Sequence, residues 1–284
     1  MYKIGINFDE ISDNLESAIE LMRECGIKYG ELRTINQKNF VFWSDEEVSS
    51  FKQRVDKAGI ELVAAATPLF KWYENPDDSE VRHDSFGFNP RIDAKEKQRI
   101  IERTFQIASK LEIPCLRIFS GLGKSSNAGA VFARDPLLNH ALDLADKYEV
   151  DLCIENEPIC RVHTQAQVTE LLANQKNGHL KLWLDIANFI ELGEEIEESF
   201  VSQVADRLSY IHAKDFIIRN GKRLYVPIGE GQIDYRTILA MIDNAFKGGD
   251  LVITAETHAK KNKVEASTKS LSALKAIVAE LDPT

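Results

Sequence analysis

Apolar segments that read as β-strands alternate with amphipathic helical segments along the whole chain. The first apolar segment, at 3–8, is followed by a helical pattern at 12–25, and the same pair of elements then recurs. The pattern predicts strands at 3–8, 29–35, 60–66, 115–120, 151–157, 181–186, 209–214 and 251–257. It predicts helices at 12–25, 44–58, 93–111, 136–148, 164–175, 194–207, 235–246 and 265–281.

This alternation favours a parallel sheet whose strands are connected through helices. Eight such units in one chain of 284 residues fit a closed barrel, which typically needs about 250 residues. An open doubly wound sheet is the alternative, but no GxGxxG motif follows the first strand. We therefore predict an α/β fold, a (β/α)8 TIM barrel, that forms a single domain over residues 1–284.

Composition narrows the classes of partner. The formal net charge is −10, from 45 acidic and 35 basic residues. An acidic chain argues against nucleic acid or an anionic membrane as the main partner, because both are bound by clustered Lys and Arg. A local basic pocket could still bind a small anionic substrate. No apolar run approaches the roughly 20 residues of a membrane span.

The cysteines and the N-terminus bear on location. The four cysteines form no CxxC motif, so we expect free thiols in a reducing cytoplasm. The first residues read as a strand and lack the apolar region of a signal peptide. A cytoplasmic protein is the resulting prediction.

Four polar residues lie at the ends of the last four predicted strands. They are Glu155, Asp185, His212 and Glu256. A charge in a strand buried on both faces is costly unless something pairs with it. Each residue alone could be a helix cap, a member of an ion pair or a hydrogen-bonded core histidine. Because the carboxyl ends of barrel strands form one ring, the four together predict a divalent-metal site.

The ligand types limit which metal would bind there. Carboxylate oxygens with one imidazole suit Mn²⁺, Mg²⁺ or Co²⁺, and Zn²⁺ is a further candidate. Three carboxylates would also repel one another strongly if no cation joined them. Mn²⁺ is the cofactor that we predict first.

Several other residues are expected at the same mouth of the barrel. Candidates for substrate contact, at or just past predicted strand ends, are Glu157, Lys214, His258 and Arg33. Glu157 could instead serve as a helix cap or ion-pair partner, and Arg33 could pair with Glu31. Arg117, within the fourth strand, is expected to form a structural ion pair.

Two long loops, at 67–92 and 216–231, would lie at the same mouth. The first is rich in aromatic residues and predicts either a lid or a subunit contact. Long structured loops are usually functional.

Short motifs give the chain a family resemblance. It resembles the sugar phosphate isomerase/epimerase superfamily, the xylose-isomerase-like TIM barrels that include endonuclease IV. The segments that carry the resemblance are 30–33 (GELR), 154–156 (IEN), 184–188 (LDIAN), 212–215 (HAKD) and 228–235 (IGEGQIDY). The resemblance covers the whole chain and is specific for the superfamily but weak for the substrate.

The resemblance implies roles for particular residues. The four strand-end residues match the family's metal ligands, and Glu155 and Glu256 match the glutamates that move the proton in the epimerases. Asn188 stands where many epimerases have a substrate-contacting histidine. An asparagine can hydrogen-bond a sugar hydroxyl but cannot titrate. Homodimers or homotetramers are expected from the same resemblance.

The chain is therefore expected to be a metal-dependent isomerase or epimerase that acts on a ketose or related sugar, with or without a phosphate group on that sugar. It would act by proton abstraction next to a carbonyl, through an enediolate. A keto-sugar or inosose dehydratase is the nearest alternative, and a non-catalytic sugar-binding barrel is another. Endonuclease-like DNA repair is opposed by the acidic charge and by the absence of histidine at the ends of the second and third strands.

Overall fold

The computed structural model describes residues 2–74 and 87–281, and within them the predicted barrel is confirmed. Eight parallel strands close on themselves, each beside its neighbours in the chain, and the first pairs with the last. We number them β1 (Tyr2–Asn7), β2 (Tyr29–Leu32), β3 (Glu61–Ala65), β4 (Cys115–Ile118), β5 (Asp151–Glu155), β6 (Leu180–Asp185), β7 (Leu208–Ala213) and β8 (Leu251–Ala255). All of their carboxyl ends therefore meet at one mouth.

Helices occupy the connections and surround the barrel. Within the described residues they are Phe8–Ile11, Leu15–Glu24, Asp45–Ala58, Ala94–Leu111, Ala128–Phe132, Pro136–Tyr148, Gln165–Asn174, Ile186–Glu191, Glu198–Val204, Tyr235–Ala245 and Lys263–Leu281. Local sequence signals set several ends. Ser44 and Glu47 form a capping box at the start of Asp45–Ala58, and Gly59 ends that helix with φ 69°.

The barrel interior is filled by side chains up to the level of the site. Trp183 and Tyr210 stack inside it with ring centroids 3.8 Å apart, and Val63, Ala64 and Cys153 pack in the same cluster. The Trp183 ring also meets the His212 ring edge-on, with centroids 4.8 Å apart. A packed interior of this kind gives the polar residues at the mouth a rigid floor.

Some elements differ from the sequence prediction. The fifth strand ends at Glu155, two residues before its predicted end, and the helix predicted at 194–207 covers only Glu198–Val204. The helix Ile186–Glu191 was not predicted; it begins because the Asp185 carboxylate accepts a hydrogen bond from the Asn188 backbone N–H.

The loop predicted at 216–231 contains an antiparallel hairpin. Its strands are Asp215–Arg219 and Lys222–Val226. Asn220 and Gly221 join them, both with positive φ, which matches the right-handed twist of a hairpin. A second, shorter hairpin pairs Thr34–Ile35 with Lys38–Asn39.

The aromatic loop at 67–92 is packed against the barrel where it is described. Phe70, Trp72 and Phe88 are buried, and the Phe70 ring meets Phe132 edge-on. His83 and Phe86 lie outside the described residues. A role of this loop as a lid or a subunit contact stays a prediction.

Candidate metal centre

Four side chains from successive strands converge at the mouth of the barrel. Glu155 and Asp185 end β5 and β6, His212 lies one residue before the end of β7, and Glu256 directly follows β8. One ligand atom from each lies within 4.8 Å of all the others. All four are at least 97% buried. The convergence expected from the strand pattern is thus present.

The His212 ring lies at the centre of this group. Its Nδ1 atom is 3.6 Å from Glu155 Oε1 and 3.5 Å from Glu256 Oε2. The same Nδ1 atom is 3.9 Å from Asp185 Oδ2. The two glutamates therefore flank the imidazole from different sides of the barrel.

Three atoms of the group have no hydrogen-bond partner in the described part of the chain. They are Glu155 Oε2, Asp185 Oδ2 and His212 Nδ1, and all three are buried. Buried polar atoms are almost always hydrogen-bonded, so several converging orphans require an explanation. A divalent cation explains them, because oxygen and imidazole nitrogen are ligands of Mn²⁺, Mg²⁺, Co²⁺ and Zn²⁺. The residues therefore fit the metal that the sequence predicts.

Glu31 fixes the orientation of the imidazole from below. Its Oε2 atom is 2.8 Å from His212 Nε2 and also accepts hydrogen bonds from Tyr210 and Thr254, each at 2.9 Å. Asn7 Nδ2 donates to the other oxygen at 2.9 Å. A proton held on Nε2 by Glu31 leaves the Nδ1 lone pair facing the carboxylates, which is the tautomer that a metal ligand needs.

The site's charges perturb its titrations. Burial alone would lower the pKa of His212, but the carboxylates of Glu31 and Glu256 raise this pKa well above its usual range. Burial raises the pKa of Asp185, and the opposing charge of Lys214 only partly offsets it. The carboxylates thus create a demand for positive charge at one point. Either a proton on His212 or a divalent cation meets that demand.

Two basic side chains hold the outer carboxylate oxygens. Lys214 Nζ is 2.7 Å from Asp185 Oδ2 and 3.4 Å from Glu256 Oε2, although its contact with Asp185 lacks hydrogen-bond alignment. Arg117 lies 3.1 Å from Glu155 Oε2. Burial would raise the pKa of Glu155, but Arg117 and His212 lower that pKa to about 2. Glu155 is therefore held ionised.

Arg33 supports Glu256 from the other side of the mouth. Its Nη1 donates to Glu256 Oε1 at 2.8 Å, and its remaining nitrogens contact Asp9 at 3.0 Å and Glu10 at 2.5 Å. The alternative pairing of Arg33 with Glu31 is wrong, because Glu31 turns into the barrel towards His212. Arg33 instead reaches the pocket and fixes the orientation of the Glu256 carboxylate.

The remaining predicted contact residues also border the site. His258 Nε2 is 3.0 Å from Glu256 Oε2, and its ring stacks on Tyr225 of the hairpin. Asn188 is 2% exposed, and its side-chain Nδ2 has no hydrogen-bond partner in the described ranges. Glu157 lies 3.6 Å from Lys71. Whether any of them contacts a substrate stays a prediction.

A cavity of about 370 Å³ opens over the group. It is lined by Arg33, Glu155, Glu157, Asn188, Lys214, Glu256 and His258, together with Lys71, Arg117 and Tyr225, which were not among the predicted contact residues. This volume lies within the range of small-molecule sites. The cavity thus joins two of the predicted ligands, Glu155 and Glu256, to the residues predicted as substrate contacts.

Sequence reasoning did not find the residues that support the ligands. Glu31 was considered only as a partner for Arg33, whereas Asp9 and Glu10 were not considered. Arg117 was expected to be structural but lines the cavity. The available signal was a charged side chain inside or next to an apolar strand, which is also how the ligands themselves were found.

Known proteins share this architecture. A family model described as xylose isomerase-like TIM barrel matches residues 19–277. The fold is also similar to that of the IOLI protein with a bound zinc atom, at 17% identity and a TM-score of 0.74 over 99% of this chain and 100% of that one. No curated protein matches the sequence of this chain.

Two further solved structures are of comparable similarity. A D-tagatose 3-epimerase-like protein is 18% identical, with a TM-score of 0.72 over 98% of each chain. The probable 3-DHS dehydratase AsbF of petrobactin synthesis in Bacillus anthracis is 16% identical, with a TM-score of 0.72 over 96% of this chain and 98% of its own. Identities this low establish a shared fold.

In the described residues no helix is both long and apolar enough to span a bilayer.

Proposed function

The chain belongs to the xylose isomerase-like TIM barrel family, and from this premise we propose that it is a divalent-metal-dependent isomerase or epimerase. The substrate is a ketose or a related sugar, which accords with the small-molecule sugar chemistry named for several proteins of the same fold. The site lies at the carboxyl ends of the strands, where barrel enzymes carry their chemistry.

One observation carries the proposal. The buried Nδ1 of His212 has no hydrogen-bond partner in the described part of the chain, and carboxylate oxygens of Glu155, Asp185 and Glu256 converge around it, with one ligand atom of each residue within 4.8 Å of all the others. Such an arrangement costs free energy unless a cation joins it, and a binding role explains why the fold retains it. The cavity above the group supplies room for a substrate.

The proposed chemistry is the transfer of a proton at a carbon next to a carbonyl. Glu155, Asp185, His212 and Glu256 would hold the divalent ion, which would supply Lewis acidity towards a substrate carbonyl. Glu155 and Glu256 lie 3.6 Å and 3.5 Å from the same His212 Nδ1, on β5 and just after β8. One carboxylate removes the proton and later releases it to solvent, and the other delivers a proton taken from solvent to the opposite side of the carbon.

The surrounding side chains prepare these two carboxylates. Arg117 and Arg33 each hold one oxygen of Glu155 and Glu256, which aims the other oxygen at the centre of the group. Lys214 carries a proton, because burial lowers its pKa but Asp185 and Glu256 raise that pKa well above its usual range. Its ammonium group can stabilise negative charge on an enediolate oxygen.

A dehydratase is the second candidate. The probable dehydratase AsbF has the same fold, and dehydration shares the enolising step before a β-hydroxyl departs. His258 is placed to assist, since its Nε2 is 3.0 Å from the Glu256 carboxylate at the rim of the cavity. Mass spectrometry distinguishes the two, because only dehydration lowers the substrate mass by one water.

Solvent deuterium exchange tests the function. The Mn²⁺-loaded protein is incubated in D₂O with a panel of neutral, phosphorylated and carboxylated ketoses, and NMR follows deuterium at the carbon next to the carbonyl. We expect exchange in the wild type and in Glu20→Gln, which changes an exposed helix position. The rate of deuterium exchange should fall by at least about 100-fold in Glu155→Gln and in Glu256→Gln.

Metal content is measured in every variant by mass spectrometry, so that lost metal is not mistaken for a lost base. Exchange that persists in metal-loaded Glu256→Gln contradicts the assignment of the bases. The absence of exchange and of dehydration with every ketose in the panel contradicts the proposed function, and leaves the sugar-binding barrel.

A further inference from the structure

Basic side chains dominate the cavity wall even though the chain is acidic. Arg33, Lys214 and Arg223 line the cavity, and each has a carboxylate within ion-pair distance. Arg33 contacts Asp9 and Glu10, Lys214 contacts Asp185, and Arg223 contacts Glu191. In these pairs the carboxylates neutralise most of the positive charge that the basic side chains could offer to a ligand.

The ion pairs of Lys71 with Glu157 and of Arg117 with Glu155 are longer, at 3.6 Å and 3.1 Å. Lys71 follows β3 and Arg117 lies within β4, so they occupy one side of the mouth, and both pack on the Phe119 ring. Lys71 Nζ is 4.6 Å and Arg117 Cζ is 4.7 Å from the centroid of that ring. The Phe119 ring thus carries two basic side chains at one side of the cavity, and both can present positive charge to a ligand there.

Arg117 is the better placed of the two. Its side chain is only 7% exposed, and its Nε has no hydrogen-bond partner in the described part of the chain. Its one carboxylate contact among residues 2–74 and 87–281 is Glu155 at 3.1 Å. Glu155 is also a proposed ligand, and its negative charge is shared when it holds a cation. Arg117 is then a buried guanidinium with a donor to spare.

Lys71 has one distant carboxylate partner in the part of the chain that the structure describes. Its Nζ is 3.6 Å from Glu157, beyond ordinary hydrogen-bond distance, and the Glu157 side chain is 20% exposed. A carboxylate that close reduces the affinity of the site for a second anion. Asn188, on the same cavity, adds a buried Nδ2 donor that has no partner among the residues described.

We propose that the sugar acted on at this site carries an anionic group, a carboxylate or a phosphate, and that Arg117 and Lys71 bind it. This inference rests on the proposed function, which it deepens by naming the class of substrate. The anionic group would lie on the β3–β4 side of the cavity, with the carbonyl over the four converging side chains. Bidentate recognition of a carboxylate or phosphate suits a guanidinium, and that of Arg117 lies 4.7 Å from the centroid of the Phe119 ring.

Binding measurements on the intact, Mn²⁺-loaded protein test the inference. Isothermal titration calorimetry compares D-fructose, its terminal phosphate ester and a keto-hexonate of similar length. We expect one of the two anionic ketoses to bind at least about tenfold tighter than D-fructose. The phosphate ester and the keto-hexonate distinguish the two sources of negative charge. The preference should be smaller in the metal-free protein, where Glu155 competes for Arg117.

Variants locate the preference. Arg117→Gln should weaken the binding of the anionic ketose by about 10- to 100-fold and should change the binding of the neutral ketose much less. Lys71→Gln provides a second route if Arg117→Gln folds poorly, with the exposed Lys57→Gln as its matched control. Glu157→Gln should tighten the binding of the anionic ketose, because it removes a negative charge beside Lys71 that repels the anionic group.

The inference is overturned if no anionic ketose binds tighter than D-fructose, including the case in which none binds measurably. It is also overturned if the preference survives both Arg117→Gln and Lys71→Gln. Its failure is distinct from that of the proposed function. Deuterium exchange with neutral ketoses alone would support the proposed function and contradict the anion subsite. A preference for anionic ketoses without exchange or dehydration would support the anion subsite and contradict the proposed function.

Discussion

Glu31→Gln isolates the contribution of the carboxylate beneath His212. The substitution retains size and shape but replaces one oxygen by an amide nitrogen. Glu31 Oε2 now accepts from His212, Tyr210 and Thr254 at 2.8–2.9 Å, all within a fully buried region. The amide can turn its oxygen towards these three donors, but the charge that strengthened the bonds is gone.

The magnitude follows from that geometry. Replacing a partner that orients a ligating histidine typically weakens metal affinity by about 10- to 100-fold, or roughly 1.4 to 2.7 kcal/mol. The metal-free protein loses one charge-assisted interaction at His212, and we expect its free energy of unfolding to fall by about 1–2 kcal/mol. Both effects come from the loss of the negative charge that strengthens the hydrogen bond at His212 Nε2.

Calorimetric titration with Mn²⁺ gives the dissociation constant, and urea unfolding of the metal-free protein gives the stability. Glu20→Gln, exposed on the helix Leu15–Glu24, is the matched control and should change neither. A Glu31→Gln variant that binds Mn²⁺ as tightly as the wild type would refute the reasoning that Glu31 prepares His212 as a ligand.

Three further predictions concern stability, and urea unfolding measures each. Arg33→Met leaves buried carboxylates unpaired and should cost about 3–5 kcal/mol, whereas Arg54→Met, at a partly exposed position, should cost less than about 1 kcal/mol; equal losses would contradict the buried network. Gly129→Ala should cost about 1–3 kcal/mol, because its Cβ would lie 2.5 Å from Gln167 O, while Gly178→Ala meets nothing within 4 Å and should be nearly neutral; a neutral Gly129→Ala would contradict this packing. Saturation with Mn²⁺ at about 100 times its dissociation constant should add about 2.7 kcal/mol, reversed by a chelator, and no gain would contradict binding to the folded state.

The barrel and the converging side chains were predictable because both depend on short-range patterns. Each buried strand is an apolar run, and a single charged or imidazole residue at its end, such as Asp185 after Leu182–Leu184, stands out against that run. Parallel closure then brings the strand ends to one mouth without further information. The predicted ring order, with the fifth to eighth strands adjacent, is the observed one.

The supporting contacts were not predictable in the same way. Glu31 and His212 are 181 positions apart, and β2 and β7 are not neighbours in the ring. Their contact depends on which way each side chain points inside the closed barrel, which a strand pattern fixes only to one face. The network of Arg33 with Asp9, Glu10 and Glu256 likewise combines residues from three separate strand ends.

The hairpin after β7 was missed for a more local reason. Asn220-Gly221 is a strong hairpin signal, but the segment lay in a region already interpreted as a loop. The cytoplasmic location, the Mn²⁺ preference and assembly into homodimers or homotetramers stay predictions.

Anomalous diffraction from a crystal soaked in Mn²⁺ tests the central claim most directly. We predict one strong anomalous peak within bonding distance, roughly 2.0–2.3 Å, of oxygens of Glu155, Asp185 and Glu256 and of His212 Nδ1. A map with no peak at that position would contradict the account. So would a map in which His212 Nδ1 points away from a nearby peak.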